Sequence, residues 1–126
     1  MEDNELDLES LVEKYENMQA LGKNIYLDAD EFAMLIEYYS GEGDQDEAEI
    51  LVEEGLKIHP SSALLMLAKA KILILSTKYE EALDYLRFSS DDNDIDHSLL
   101  RIEALLHLSE FDEVEKMSIK ILDRDL

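Results

Sequence analysis

Apolar residues recur along most of the chain at steps of three and four, with acidic residues between them. This spacing puts the apolar side chains on one face of each helix that it predicts. In the first helix, that face carries Leu8, Leu11, Val12, Tyr15, Met18 and, at its end, Leu21. Glycine, proline or polar residues separate the predicted helices. The seven helices are predicted at about 6–21, 31–40, 46–58, 62–75, 79–88, 96–108 and 111–123.

Three segments, 43–52, 77–86 and 109–118, align without gaps, and each of them opens a helix. Each segment begins with a residue that can cap a helix, and an acid follows three positions later. These pairs are Gly43 with Asp46, Thr77 with Glu80, and Ser109 with Asp112. The latter two pairs predict reciprocal N-terminal boxes, whereas the glycine supplies only backbone freedom.

The aligned segments define a repeat with a period of two helices. Ala48 and Ala82 are 34 residues apart, and Ala82 and Val114 are 32 apart. One helix pair cannot bury its apolar face alone, but stacked pairs can. We expect the two alanines to lie where facing helices approach closely, so that a larger side chain would overpack the contact by about 1–3 kcal/mol.

The repeat resembles the tetratricopeptide repeat. Its best copy, 29–62, carries the family pattern at Phe32, Leu35, Tyr39, Ala48, Val52, Gly55 and Pro60. The second copy, 63–96, keeps Ala82, Leu86 and Ser89 but has Lys69 for leucine and Asp94 for proline. The third, 97–126, keeps Leu105 and Phe111 but departs at Val114, Ser118 and Ile121.

This resemblance implies an all-α fold, an alpha-alpha superhelix or solenoid of antiparallel helix pairs with about seven helices. Residues 1–28 would form an N-terminal amphipathic helix and connector. Residues 29–126 would form about three repeats, with boundaries at 29–62, 63–96 and 97–126, and the whole chain would be one structural domain.

The resemblance also implies a non-catalytic scaffold that holds a partner's peptide or helix on a concave surface lined by the first helix of each repeat. The candidate groove residues are Glu37, Leu67, Lys71, Ile74, Leu99, Glu103 and Leu106, with Ala33 beside the first of them. The leucines and the isoleucine could instead be packing between helices. Family members that grip acidic chaperone C-termini use several basic side chains there, whereas Lys71 is flanked by Glu37 and Glu103, so that use is not expected.

The charge of the chain narrows the class of partner. There are 32 acidic and 11 basic residues, which leaves a net charge of −21. Such a field repels phosphate backbones and anionic lipid headgroups, so we expect no nucleic-acid or membrane partner and a basic or apolar protein partner instead. No apolar run suited to a signal sequence follows the acidic N-terminus, which favours a cytoplasmic location.

A calcium-binding module is the alternative function. Asp92, Asp94, Asp96, Leu99 and Glu103 match several ligand positions of an EF-hand loop. The position that needs glycine for the sharp turn holds His97, and a helix is expected from about residue 96. A second alternative is a purely structural fragment of a longer repeat array.

Enzymatic and cofactor chemistry has no support in the sequence. Without cysteine the chain has no disulfide, thiolate metal site or cysteine nucleophile. His59, His97 and His107 are dispersed and expected at the surface or at helix ends, and no Ser-His-Asp arrangement is visible. We expect no enzyme, no cofactor and no metal.

The last predicted helix has a broad apolar face. At about 100° per residue this face spans an arc of about 140°, with Ile119 apolar on the far flank. The residues on the arc are Phe111, Val114, Met117, Ile121 and Leu122. One neighbouring helix cannot cover so wide an arc, so the sequence predicts self-association through this helix or a further helix packed against it.

Overall fold

A computed structural model describes residues 4–23, 26–88 and 95–125, and this part of the chain contains seven α-helices and no strand. Each predicted helix is confirmed, and its ends shift by no more than two residues. Of the connector predicted at 24–27, the first two residues lie outside the described residues, and the polar segment predicted at 89–94 lies wholly outside them. The helices are α1 (Asn4–Ala20), α2 (Ala29–Gly41), α3 (Gln45–Ile58), α4 (Ala63–Leu75), α5 (Tyr79–Phe88), α6 (Ile95–His107) and α7 (Phe111–Asp125).

The chain forms two compact units, Met1–Leu65 and Met66–Leu126. In the first unit α1 packs on α2 and α2 packs on α3. In the second unit α5 packs on α6 and α6 packs on α7. Consecutive helices therefore pair, which confirms the all-helical fold of adjacent helix pairs that the periodicity predicted.

The core of the first unit depends on small residues in α3. Ala48 has no exposed surface. A Cβ on Gly55 would lie 3.0 Å from Cγ of Phe32 and 3.0 Å from Cδ1 of Leu65, so a side chain there would push against two core residues. The small residues of α3 thus allow the aromatic ring of α2 to pack against its backbone.

The core of the second unit is a cluster built from α4, α5 and α6. Ala82 lies in it without exposed surface, so the expectation of a buried small residue holds in both units. Its side chain has no room to grow without displacing neighbours. The buried members of this cluster are Leu73, Ile74, Ala82, Leu83, Ala104 and Leu105.

The turns between paired helices share one backbone conformation. Gly43, Thr77 and Ser109 have φ angles of 87°, 62° and 63°, in the left-handed region. At the second turn, for example, the N–H of Thr77 donates to the carbonyl oxygen of Ile74 at 3.0 Å, and the N–H of the next residue, Lys78, donates to the carbonyl oxygen of Leu73 at 2.8 Å. The turns at Gly43 and Ser109 have the same two hydrogen bonds. This pair of hydrogen bonds is the Schellman ending of a helix.

The N-terminal boxes predicted at Thr77 and Ser109 are therefore wrong. Both residues end the preceding helix instead of opening the next one, because a helix ending needs a left-handed residue at that position. In the first unit, other residues cap the starts of the helices. Oδ1 of Asp44 accepts the N–H of Glu47 at 3.1 Å, and Oγ of Ser62 accepts the N–H of Leu65 at 3.2 Å.

Two tyrosine hydroxyls attach α1 to the helices that follow it. The hydroxyl of Tyr15 on α1 donates to the Glu47 carboxylate on α3, and Nε2 of Gln19 donates to the same hydroxyl at 2.8 Å. In the reverse direction, Tyr39 on α2 donates its hydroxyl to Glu16 on α1 at 2.8 Å. The two rings meet edge to face, with their centroids 5.9 Å apart. Two hydrogen bonds from tyrosine hydroxyls to carboxylates thus add to the apolar packing of α1.

Burial raises the pKa of both tyrosines above the usual value of 10.0, and the hydrogen-bonded carboxylates, Glu47 for Tyr15 and Glu16 for Tyr39, raise it further. A pKa that is higher in the folded state stabilises the fold fully below the unfolded value of about 10, and that stabilisation is lost as the pH rises above it. The attachment of α1 is therefore sensitive to alkaline pH.

We predict that Thr77→Gly stabilises the protein by about 0.5–1 kcal/mol. The left-handed conformation costs a residue with a side chain roughly 1–2 kcal/mol, and glycine avoids this cost. Part of the gain is offset because glycine loses more conformational entropy on folding. Urea unfolding followed by circular dichroism at 222 nm would measure the change. Ser76→Gly is the matched control, because Ser76 is not among the positive-φ residues and its replacement adds only the entropic cost. Equal destabilisation by both substitutions would contradict the strain interpretation.

We predict that Tyr15→Phe lowers the free energy of unfolding by about 1–2 kcal/mol at pH 7, since the hydroxyl loses its bond to the Glu47 carboxylate and the bond that it accepts from Gln19. A Tyr15→Phe, Tyr39→Phe double variant should also lose less stability than the wild type between about pH 10 and pH 12. Urea unfolding at each pH measures both effects. Tyr26→Phe, at an exposed ring, should behave as the wild type. An unchanged alkaline loss in the double variant would show that other groups cause it.

Candidate partner-binding surface

Helix α6 presents an apolar stripe to the outside. Leu99 and Leu106 are 52% and 47% exposed, and Ile95, four residues before Leu99, is 45% exposed. Spacings of four and seven residues put all three on one face of the helix. Glu103 is exposed four residues after Leu99, so the stripe has an acidic flank. Ile95 was not among the residues predicted from the sequence, although a step of four residues back from Leu99 indicates it.

Helix α4 contributes a mixed surface. Lys71 is exposed, Leu67 lies half-buried one turn before it, and Leu75, which the sequence did not single out, is 61% exposed one turn after it. Steps of four residues put these three side chains on one face of α4.

Ile74 is not part of an open surface. It is buried in the core cluster of the second unit beside Ala82 and Leu105. Its placement matches the inter-helix packing that the sequence left as the alternative to binding. Its register does not decide this, since Ile74 lies only about 60° around α4 from the exposed Lys71. It is buried because residues of α5 and α6 in the same cluster cover it.

Glu37 is exposed on α2 and belongs to the first unit, with Ala33 half-buried one turn before it. The other groove candidates belong to the second unit. The proposed partner-binding role of these residues stays a prediction.

Helix α7 also exposes apolar side chains. Phe111 and Leu122 are 62% and 61% exposed, and Ile119 is exposed as well. Val114 and Met117 are half-buried against the core cluster of the second unit. The apolar arc predicted from the sequence is therefore covered along one side and open along the other.

The three histidines stand at helix ends, as expected, but they are not all at the surface. His97, the third residue of α6, is buried, because it lies about 200° around the helix from Ile95 and its exposed stripe. Nε2 of His59, directly after α3, lies 2.7 Å from the carbonyl oxygen of Leu27. His107, the last residue of α6, stacks on Tyr79 at a centroid distance of 4.3 Å.

No cluster of three or more histidine or acidic side chains suited to a metal ion occurs within the described ranges. Of the possible calcium loop, Asp92 and Asp94 lie outside those ranges. Asp96, Leu99 and Glu103 belong to α6, whose turns carry successive side chains away from one another instead of around an ion. Within the same ranges, no helix has the length and apolar character to cross a membrane.

Comparison with known proteins gives one family. No curated protein and no solved structure matches the chain. The sequence profile described as Iml2/Tetratricopeptide repeat protein 39 matches residues 14–105, which include the second half of α1, all of α2 to α5 and most of α6. This range is well over half of the chain, and it agrees with the paired helices and with the repeat found in the sequence. The chain belongs to the Iml2/Tetratricopeptide repeat protein 39 family.

Proposed function

We propose that this protein is a non-catalytic scaffold, located in the cytoplasm, that holds an amphipathic helix of a partner protein against the exposed faces of α6 and α4. The observation that carries the proposal is the exposed stripe of Ile95, Leu99 and Leu106. Tetratricopeptide-type repeats generally mediate protein–protein interactions, which supports this class of function over catalysis.

The geometry of the stripe fits a helical partner. Apolar anchors at successive turns of one helix are the pattern by which an amphipathic helix lies along a surface. Covering the exposed half of each leucine would contribute about 1 kcal/mol. Leu67 and Leu75 add apolar surface on α4, and Lys71 between them can form an ion pair with one acidic residue of the partner.

The charge of the chain favours basic side chains on the partner. The net charge of −21 raises the encounter rate with a basic helix and lowers it with an acidic one. Glu103 beside Leu99 gives that preference a local contact. The expected partner therefore has an apolar stripe flanked by lysine or arginine.

Self-association through α7 is a second proposal, and the exposure of Phe111 and Leu122 supports it. The negative charge opposes pairing of two copies, and salt screens that repulsion. The proposal therefore includes an increase of association with ionic strength.

The scaffold proposal predicts that Leu99→Glu, Leu106→Glu weakens binding of a designed leucine-lysine amphipathic helix by about tenfold or more, because two apolar contacts are replaced by buried charges. Fluorescence anisotropy of the labelled peptide would measure the affinity. The control variant Leu21→Glu, Ile50→Glu adds the same charge at exposed positions of the first unit and should change affinity less than twofold.

A leucine-glutamate peptide of the same pattern should not bind the wild type. Equal affinity of the groove and control variants for the lysine peptide would refute the proposed surface, provided that circular dichroism shows both to be folded.

The self-association proposal predicts a concentration-dependent dimer whose fraction rises with salt. Light scattering after size exclusion at low and high salt would measure it on the wild type and on Phe111→Ser, Leu122→Ser. The variant should remain monomeric at both salt levels, since the exposed apolar surface is removed. A wild type that is monomeric at high salt and high concentration would contradict this proposal and leave the scaffold surface on α6 untouched.

A further inference from the structure

Helix α7 carries on its exposed side the kind of surface that the stripe of α6 is proposed to bind. Phe111, Ile119 and Leu122, called the α7 stripe below, are 62%, 53% and 61% exposed. At about 100° per residue they lie within an arc of about 80° on one side of the helix. The exposed Lys116 and Lys120 lie on the flank of that arc. Helix α7 thus combines an apolar stripe with basic residues beside it.

The α7 stripe and the α6 stripe, which consists of Ile95, Leu99 and Leu106, have matching lengths. Each spans eleven residue steps, or about 17 Å of helix. The apolar residues stand at steps 0, 4 and 11 on α6, and at steps 0, 3 and 11 on α7 when α7 is read from its C-terminal end. Antiparallel packing therefore sets each apolar residue of one stripe opposite one of the other. The opposed pairs are Ile95 with Leu122, Leu99 with Ile119, and Leu106 with Phe111.

The charged flanks of the two stripes also favour the antiparallel arrangement. Asp96 and Glu103 on α6 are exposed beside the stripe, on the same rotational side as the two lysines beside the α7 stripe. Such flanks meet when two facing helices run antiparallel, and they lie on opposite edges of the contact when the helices run parallel. In the register of the apolar pairs, Lys116 is two residue steps from Glu103, and Lys120 is one step from Asp96.

Acidic residues of α7 confine the favourable contacts to its middle turns. Asp112 and Asp123 stand at the two ends of the basic flank, so the lysines act only between them. Glu115 is exposed within the α7 stripe, and in the antiparallel register it is one residue step from Glu103. Because like charges repel at this distance, removing the charge of Glu115 should strengthen the contact.

The two stripes of one copy do not meet. Helices α6 and α7 already pack on each other. Ala104 and Leu105 of α6 belong to the core cluster, and Val114 and Met117 of α7 pack against it. Both stripes are on the exposed sides of their helices. A second copy is therefore needed to bring an α6 stripe against an α7 stripe.

We propose that the helix bound by the α6 stripe is α7 of a second copy of this chain, in antiparallel orientation. The proposed contact rests on the scaffold proposal, because it uses the same stripe on α6. It differs from pairing of α7 with α7, since each copy contributes two different surfaces. A contact between unlike surfaces generates closed rings if the rotation between copies closes, and open chains if it does not.

The test mixes two full-length variants, each of which lacks one stripe. Leu99→Glu, Leu106→Glu removes the α6 stripe, and Ile119→Glu, Leu122→Glu removes the α7 stripe. Sedimentation velocity at moderate salt, which screens the long-range repulsion between acidic copies, should find each variant monomeric by itself. An equimolar mixture should form a one-to-one complex, because one intact stripe of each kind is then present.

A mixture that stays monomeric overturns the proposal, provided that circular dichroism shows both variants to be folded. Binding of the leucine-lysine peptide to the Ile119→Glu, Leu122→Glu variant then shows that the scaffold surface is intact. Dimers of the Leu99→Glu, Leu106→Glu variant by itself also overturn the proposal, because α7 then pairs with α7. A mixture that assembles although the peptide does not bind contradicts only the scaffold proposal.

Charge substitutions in the same mixture test the register. On the chain that keeps the α7 stripe, Lys116→Glu should weaken the complex about fivefold, and Glu103→Lys on the other chain should restore most of the affinity, because the two charges exchange places. Lys23→Glu, at an exposed position of the first unit, makes the same change in net charge and should alter the affinity less than about twofold. Equal weakening by the two lysine substitutions, or no restoration by Glu103→Lys, overturns the antiparallel contact.

The last variant tests the one repulsive contact. Glu115→Gln on the chain that keeps the α7 stripe should tighten the mixed complex about two- to threefold. Glu81→Gln removes the same charge from an exposed position on α5 and should leave the affinity nearly unchanged. Equal effects of the two substitutions would show that Glu115 does not face the α6 stripe and would overturn the proposed register.

Discussion

A helix in this chain buries its apolar face only if the next helix returns along it, and a left-handed residue makes that return possible at the turns after α2, α4 and α6. At Gly43, Thr77 and Ser109 the same two backbone hydrogen bonds close the end of one helix and redirect the chain into the next. The short connections keep paired helices adjacent, so that the small side chains of Ala48 and Ala82 are buried between packed helices. The pairing of α2 with α3 and of α6 with α7 depends on this local geometry.

The helices could be predicted from the sequence because each of them carries a repeated apolar spacing that only one periodicity explains. The buried alanines could be predicted because their positions recur from one repeat to the next. The turn residues were misassigned for a physical reason: threonine and serine are good N-terminal caps, and neither is a usual choice for the left-handed region. Of these three residues, only Gly43 is of a type that commonly adopts the left-handed conformation. Its alignment with Thr77 and Ser109 indicates that all three end a helix in the same way.

The candidate surface was predictable in part. The exposure of Leu99 and Leu106 follows from their register on α6, whereas Ile74 shows the limit of that approach. Its type and spacing suit either a groove or a core, and the choice depends on the cluster formed by α5 and α6, which the sequence does not display.

The attachment of α1 shows how a chain with so few bases joins acidic helices. Where a less acidic protein would use lysine or arginine to join two such helices, this one uses the hydroxyls of Tyr15 and Tyr39 as donors to Glu47 and Glu16. A bond between a neutral donor and a carboxylate depends much less on ionic strength than an ion pair does, and the repulsion between the acidic helices weakens as salt is added. The N-terminal helix is thus fastened in a way that concentrated electrolyte does not loosen.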